Sequence, residues 1–195
     1  MKIMESNKAV QFLVLKAEYP NVGGNNVLLW RKDIHSLLAW GSTNAYANSA
    51  IHTFLNGDYL LLLEEKVRNK IPTVSIPYTI GGGNSSSSTL DAKRFLLSNS
   101  EVGFSTNQYV KADGVAIPYF SDNSKRIANY DGSPYNQHLR TPYTVNSKTV
   151  VIISGDGTSN NFGSDSPFGI CPAFCLPSNT KVSLEPDSRG DYTLV

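Results

Sequence analysis

The strongest apolar patterning of the chain lies toward its end. Thr149-Val150-Val151-Ile152-Ile153 is an unbroken run of mostly β-branched residues, and Phe168-Gly169-Ile170-Cys171-Pro172-Ala173-Phe174-Cys175-Leu176-Pro177 is a second apolar segment. Such runs, bounded by Gly and Pro, predict strands buried on both faces rather than helices. Between them Ser154-Gly155-Asp156-Gly157 predicts a turn and residues 158–166 a loop too polar to pack. Near the start, residues 9–17 and 26–31 read as strands separated by Pro20, Gly23 and Gly24, an opening hairpin over about residues 9–31.

Helical patterning is confined to about residues 49–71. Ser49 is placed to N-cap a short helix over 50–55, with Asn56-Gly57 as its stop. Leu60, Leu63, Val67 and Ile71 then recur at +3, +4 and +4, which predicts a second helix with one apolar stripe and with Glu64, Glu65, Lys66, Arg68 and Lys70 in water; Pro72 ends it. Residues 73–80 read as a strand that feeds Gly81-Gly82-Gly83-Asn84 and four serines, expected to be a mobile surface loop. No Lys follows those glycines, which removes the phosphate-loop reading. Asp91 is expected to cap a short turn into Arg94-Phe95-Leu96-Leu97, and residues 103–131 are irregular, with Phe104, Tyr109, Tyr119, Phe120 and Tyr130 spaced through polar positions.

Composition narrows the class. A chain of 195 residues, 40% hydrophobic, can bury one sizeable core, so a single domain over 1–195 is expected. Its 17 basic and 16 acidic residues leave a net charge of +1, and with no basic field nucleic acid is not an expected partner. Fifteen Gly, 10 Pro and 10 Tyr favour many short elements joined by ordered loops, a β-rich or α+β signature. The first residues carry no apolar core of a signal peptide, and no run approaches the roughly 18 apolar residues of a membrane span, so neither export by that route nor membrane insertion is expected. The two cysteines, Cys171 and Cys175, stand four apart. In an extended segment that is roughly 13 Å, too far for a disulfide without a bend, so free buried thiols are expected.

The candidate chemistry points to binding rather than catalysis. Glu64 and Glu65 are adjacent on a predicted helix and diverge by about 100°, so they cannot flank one scissile bond. His35, His52 and His138 lack triad or zinc spacing, and Asp156, Asn160, Asn161 and Asp165 lack a calcium-loop spacing, so no metal or cofactor is expected. Two segments expected to be exposed, residues 135–147 and 158–168, are rich in Tyr, Asn and Ser, which combine rigid aromatic area with adaptable hydrogen bonding. The residues expected to contact a ligand are Tyr135, Asn136, His138, Tyr143, Asn146, Asn160, Asn161 and Phe162, in a C-terminal half over about 133–183.

The same stretch carries a resemblance. Arg140-Thr141-Pro142, the strand, the Gly-rich turn, the polar loop and the closing Phe168-Gly169-Ile170-Cys171-Pro172-Ala173-Phe174-Cys175-Leu176-Pro177 resemble the domain-of-unknown-function 6273 family. Trp30-Arg31-Lys32-Asp33, residues 44–51, residues 54–59, Phe95-Leu96-Leu97-Ser98 with Glu101-Val102-Gly103, and Arg126-Ile127-Ala128 resemble family blocks in the same order. The resemblance implies an α+β, C-type-lectin-like domain with short helices, a small antiparallel sheet and long ordered loops, of the kind found in phage tails and gut-bacterial surface proteins. It implies a non-enzymatic module of a virion or tail that binds a host cell-surface glycan or protein, beside other virion proteins and as a possible homo-oligomer; a bacterial surface module is the alternative. Arg140 and Pro142, with Gly169, Pro172 and Ala173, are implied to be scaffold. Cys171 stands where the family usually has Arg, and the cysteine pair leaves an oxidase-like enzyme as a third reading.

Overall fold

In a computed structural model of the chain, residues 1–20 and 24–194 are described; Gly23 of the expected hairpin turn lies outside them. Fourteen short strands, three short α-helices and two single-turn 3-10 helices make up the fold among those residues. The N-terminal strands β1 (Lys2–Glu5), β2 (Lys8–Ala17) and β3 (Asn26–Arg31) form an antiparallel meander. β4 (Ser36–Leu38) leads into the helices α1 (Ala50–Asn56), α2 (Asp58–Leu62) and α3 (Glu65–Arg68). A ribbon of β5 (Val74–Gly81) and β6 (Asn84–Ala92) follows, then β7 (Arg94–Phe95) and a long segment of turns as far as β8 (Asn129–Tyr130) and β9 (Ser133–Pro134). The chain closes with β10 (Gln137–Tyr143), β11 (Thr149–Ile153), β12 (Ser159–Gly163), β13 (Phe168–Ile170) and β14 (Ala173–Pro177).

Two five-stranded sheets organise these elements. One has the order β1-β2-β3-β14-β7, so the last strand inserts beside the N-terminal meander; the other has the order β12-β11-β10-β13-β4 and is antiparallel except where β10 and β13 run parallel. The fold is therefore mostly β, with small sheets and few short helices, within the α+β class. Strands β11 and β14 are buried on both faces, as their unbroken apolar runs predict. Val151, Ile153, Ala173 and Cys175 enter one core with Trp30, Phe95 and Leu139, while Val150, Ile152, Phe174 and Leu176 enter the other with Phe12, Trp40, Tyr46, Ile51 and Tyr59.

Local signals explain α1, whereas strand pairing corrects three other expectations. Ser49 caps α1 by accepting from the His52 N–H at 3.0 Å, and Gly57 ends it. The single helix expected over residues 60–71 is instead broken at Leu63 and Glu64, which are extended. The cause is the adjacent edge of β1: Ser6 N–H donates to Leu62 O at 2.7 Å, Glu64 N–H donates to Met4 O at 3.2 Å, and Leu63 bridges to Glu5. Leu63, Val67 and Ile71 remain buried regardless. The four serines are not a loop. They pair along β6 with β5 (Tyr78 opposite Ser88, Thr79 opposite Ser87), because Gly82 and Gly83 at positive φ make a tight hairpin turn and the ladder is carried by backbone groups, whatever the side chains. Asp91 caps no turn; it lies within β6 opposite Ser75.

Candidate functional site

The segment 135–147 is not the exposed loop its polarity suggests. Residues 137–143 form β10, a central strand, and Gln137, His138, Arg140 and Thr141 are buried on it. His138 is 2% exposed and packs between Trp40 and Phe168, with ring centroids at 6.4 and 5.5 Å. Burial lowers its pKa to about 4, so it is a neutral core residue at physiological pH rather than a surface contact. Residues 159–163 likewise form a strand, β12, the outer edge of the second sheet, with residues 159–162 exposed.

What fixes the surface above these strands is Arg140. All five of its N–H donors are used: Nε to Pro77 O (3.1 Å), Nη1 to Leu96 O (2.8 Å) and Glu101 Oε2 (2.6 Å), Nη2 to Glu101 Oε1 (2.9 Å) and Asp113 O (3.0 Å). A fully buried Arg is tolerable only with such complete pairing. Burial works against the charge, but Glu101 foremost, then Tyr19 and Asp113, outweigh it and raise the guanidinium above its usual range. Glu101 is also held by Tyr19 OH (2.7 Å) and the Ser98 N–H (2.9 Å). Thr141 donates to Asp113 and accepts from the Asn99 N–H at 2.8 Å; burial raises the Asp113 carboxyl above its usual range, against the pull of Arg140. One strand thus clamps the otherwise irregular segment 96–113 to the sheet, which matches the scaffold role expected of Arg140.

The clamp creates a polar recess of about 200 Å³. Its lining joins Tyr143, Asn160 and Asn161, three of the expected contact residues, to Asn99, Ser105 and Asn107 of the clamped segment. Tyr143 is half-buried, its ring 5.4 Å from that of Tyr109, and Thr144 secures Tyr109 O through both its N–H (2.8 Å) and its hydroxyl (2.9 Å). Asn99 folds the far wall by donating from Nδ2 to Ser105 O at 3.1 Å. The recess therefore offers amide and hydroxyl groups on a rigid support.

The other expected residues lie elsewhere. Phe162 is 40% exposed and packs edge-on to Phe168 at 5.1 Å. Asn146 closes its own turn, accepting at Oδ1 from Lys148 N–H and the Thr149 hydroxyl. Asn136 bonds the Gly155 N–H at 2.9 Å, and Tyr135 is exposed beside Tyr130.

Sequence reasoning missed Asn44 and Glu5. Asn44 is fully buried and donates from Nδ2 to Tyr143 O (3.3 Å), Asn146 O (3.0 Å) and Thr149 O (2.7 Å), while its Oδ1 accepts from Gly82 N–H (2.7 Å). It ties the β10–β11 turn to the β5–β6 turn, and a Cβ at Gly81 would meet Asn44 O at 2.1 Å. Glu5 accepts from Arg31 Nε and Nη2 (both 3.2 Å) and Tyr59 OH (2.7 Å), and meets His35 Nδ1 at 2.9 Å. Burial pushes its carboxyl up, but His35 and Arg31 outweigh it and hold the pKa at about 2. Among the described residues no three His, Cys, Asp or Glu side chains are grouped to hold a metal ion, and no helix is long and apolar enough to cross a membrane.

A family model described as Domain of unknown function (DUF6273) matches residues 24–178, which includes Arg140, Glu101 and the recess but not Tyr19. No curated protein matches the chain, and no solved structure does.

Proposed function

The chain belongs to the DUF6273 family, and we propose that it is a non-enzymatic binding module of C-type-lectin-like architecture, a receptor-binding or decoration part of a phage tail or related virion that recognises a host-surface glycan or protein. The observation that carries this reading is the recess of Tyr143, Asn160, Asn161 and Asn107 over the Arg140–Glu101 clamp. Exposed amides and an aromatic ring on a rigid, buried ionic support are what a surface needs to vary its contacts without losing its fold. The long segment of turns packed on small sheets supports the lectin-like architecture. Weak affinity at such a recess would be multiplied by repeated copies on a particle.

The oxidase-like alternative requires reactive cysteines. Both thiols are free and buried, and burial raises both, Cys175 to about 12, so neither offers a thiolate at neutral pH. That favours binding over cysteine chemistry.

The test is binding of fluorescently labelled chain to a panel of intact gut-bacterial cells, comparing wild type with Tyr143→Ala/Asn161→Ala. Wild type is expected to bind a subset of strains, and the double variant to lose that binding while keeping a cooperative thermal transition and the wild-type circular dichroism spectrum. Equal binding by both proteins would remove the recess from the account.

A further inference from the structure

A second concave surface lies apart from the recess and shares no lining residue with it. Two open cavities, of about 520 and 640 Å³, have Gly41 and Ser42 as a common wall. The first is bounded by Trp40, Asn48, Thr53, Phe54 and Asp58, the second by Lys148, Thr149, Ser164 and Asp165. The wall between them is pinned. Trp40 and Gly41 both donate from N–H to Ser164 O (2.9 and 3.1 Å), and the Ser164 hydroxyl returns a bond to Gly41 O at 2.9 Å. Gly41 has φ +126°, a conformation open to glycine, and a Cβ there would meet nothing within 4 Å, so the wall is bare backbone between two hollows. Behind it Trp40 is 1% exposed, and its Nε1–H is buried with no hydrogen-bond partner.

We propose that this saddle is a second ligand site that takes a neutral oligosaccharide, lying across Gly41-Ser42 with a sugar ring in each hollow. The chemistry of the lining selects that class. Hydroxyl and amide groups of Ser42, Asn48, Thr53 and Thr149 exchange hydrogen bonds with sugar hydroxyls, and the exposed carboxylates of Asp58 and Asp165 accept from vicinal pairs. The half-buried Phe54, held against His35 and Tyr59 at 5.8 and 6.1 Å, gives an apolar surface for ring C–H groups. An acidic glycan would meet the carboxylate of Asp58 and no Lys or Arg in the lining of the first hollow, and both Lys148 and Asp165 in the second.

The experiment is an NMR titration of the ¹⁵N-labelled chain with neutral trisaccharides of glucose, mannose, xylose and N-acetylglucosamine, alongside a sialylated trisaccharide. The chain has two tryptophans, so two indole N–H signals report, and Trp30→Phe assigns the one from Trp40. At least one neutral trisaccharide is expected to shift the Trp40 indole signal at millimolar concentration, with the sialylated probe at least tenfold weaker. Ser42→Phe, a bulky side chain at an exposed position of the common wall, is expected to weaken binding at least tenfold with its melting temperature unchanged. Tyr143→Ala/Asn161→Ala is expected to bind the trisaccharide as wild type does, so loss of cell binding and loss of sugar binding separate the two sites. No shift with any neutral probe up to 20 mM, or equal binding by Ser42→Phe, overturns the proposal.

Discussion

Replacing Asn44 by Ala tests how much of the surface is held by one side chain. The substitution removes the acceptor for Gly82 N–H and the two amide hydrogens shared among Tyr143, Asn146 and Thr149 carbonyls. The residue is fully buried, so water does not readily replace those bonds. Three bonds at about 1 to 1.5 kcal/mol each give a loss of about 3 to 4.5 kcal/mol. For a chain of this size that is on the order of 10 °C in melting temperature. Asn44→Asp separates hydrogen bonding from shape: it keeps the acceptor for Gly82 but sets an oxygen against three carbonyl oxygens, so it should fall at least as far as Ala. Urea unfolding followed by tryptophan emission measures both, with the slope m unchanged if only the folded state is weakened. A loss below 1 kcal/mol for Ala, or an Asp variant as stable as wild type, would refute the reasoning.

Three further predictions follow from the buried charges and thiols. Arg140→Met strands Glu101 in the core and should cost about 3 to 5 kcal/mol, while Arg140→Met/Glu101→Leu should recover part of that; a double-mutant cycle showing strict additivity would count against the clamp. Acid should unfold the protein in two windows, because both groups have folded pKa values below their unfolded ones and the unfolded chain binds the extra proton. His138 contributes stability that is complete above about pH 6.5 and lost toward 4, and Glu5 contributes stability complete above about pH 4.5 and lost toward 2, each on the order of 3 kcal/mol. Urea midpoints from pH 7 to 3 should show the first decline vanish in His138→Phe; a decline that persists there would contradict it. Finally, Ellman's reagent should leave both cysteines unmodified in the native chain and titrate two thiols in guanidinium, and immediate native reaction would contradict their burial.

How much of this was legible in the sequence depended on the range of the interaction. The run from Thr149 to Ile153 reads as a strand buried on both faces because every side chain must be apolar for that, and the Ser49 cap reads locally because its partner is three residues away. The break in the predicted second helix was hidden, since it is imposed by β1, some 60 residues earlier. The serines of β6 gave no alternation to read because both of their faces are exposed. His138 misled because a polar residue type marks a loop only where no aromatic pocket is built for it; Trp40 and Phe168, which build it, are distant in sequence. Tyr143, Asn160 and Asn161 were picked out by composition, yet Asn99, Ser105 and Asn107, which complete their recess, are brought there by an Arg140–Glu101 contact that no local pattern encodes.

A binding surface at the recess held by the Arg140 clamp would be covered when the chain meets its target. Hydrogen–deuterium exchange of the chain, with and without envelope fragments from a cell strain it binds, tests this most directly. Slowed exchange is expected over residues 105–110 and 159–162, with the clamped β10 strand unchanged. Protection confined to other surfaces, with those two segments unaffected, would contradict it.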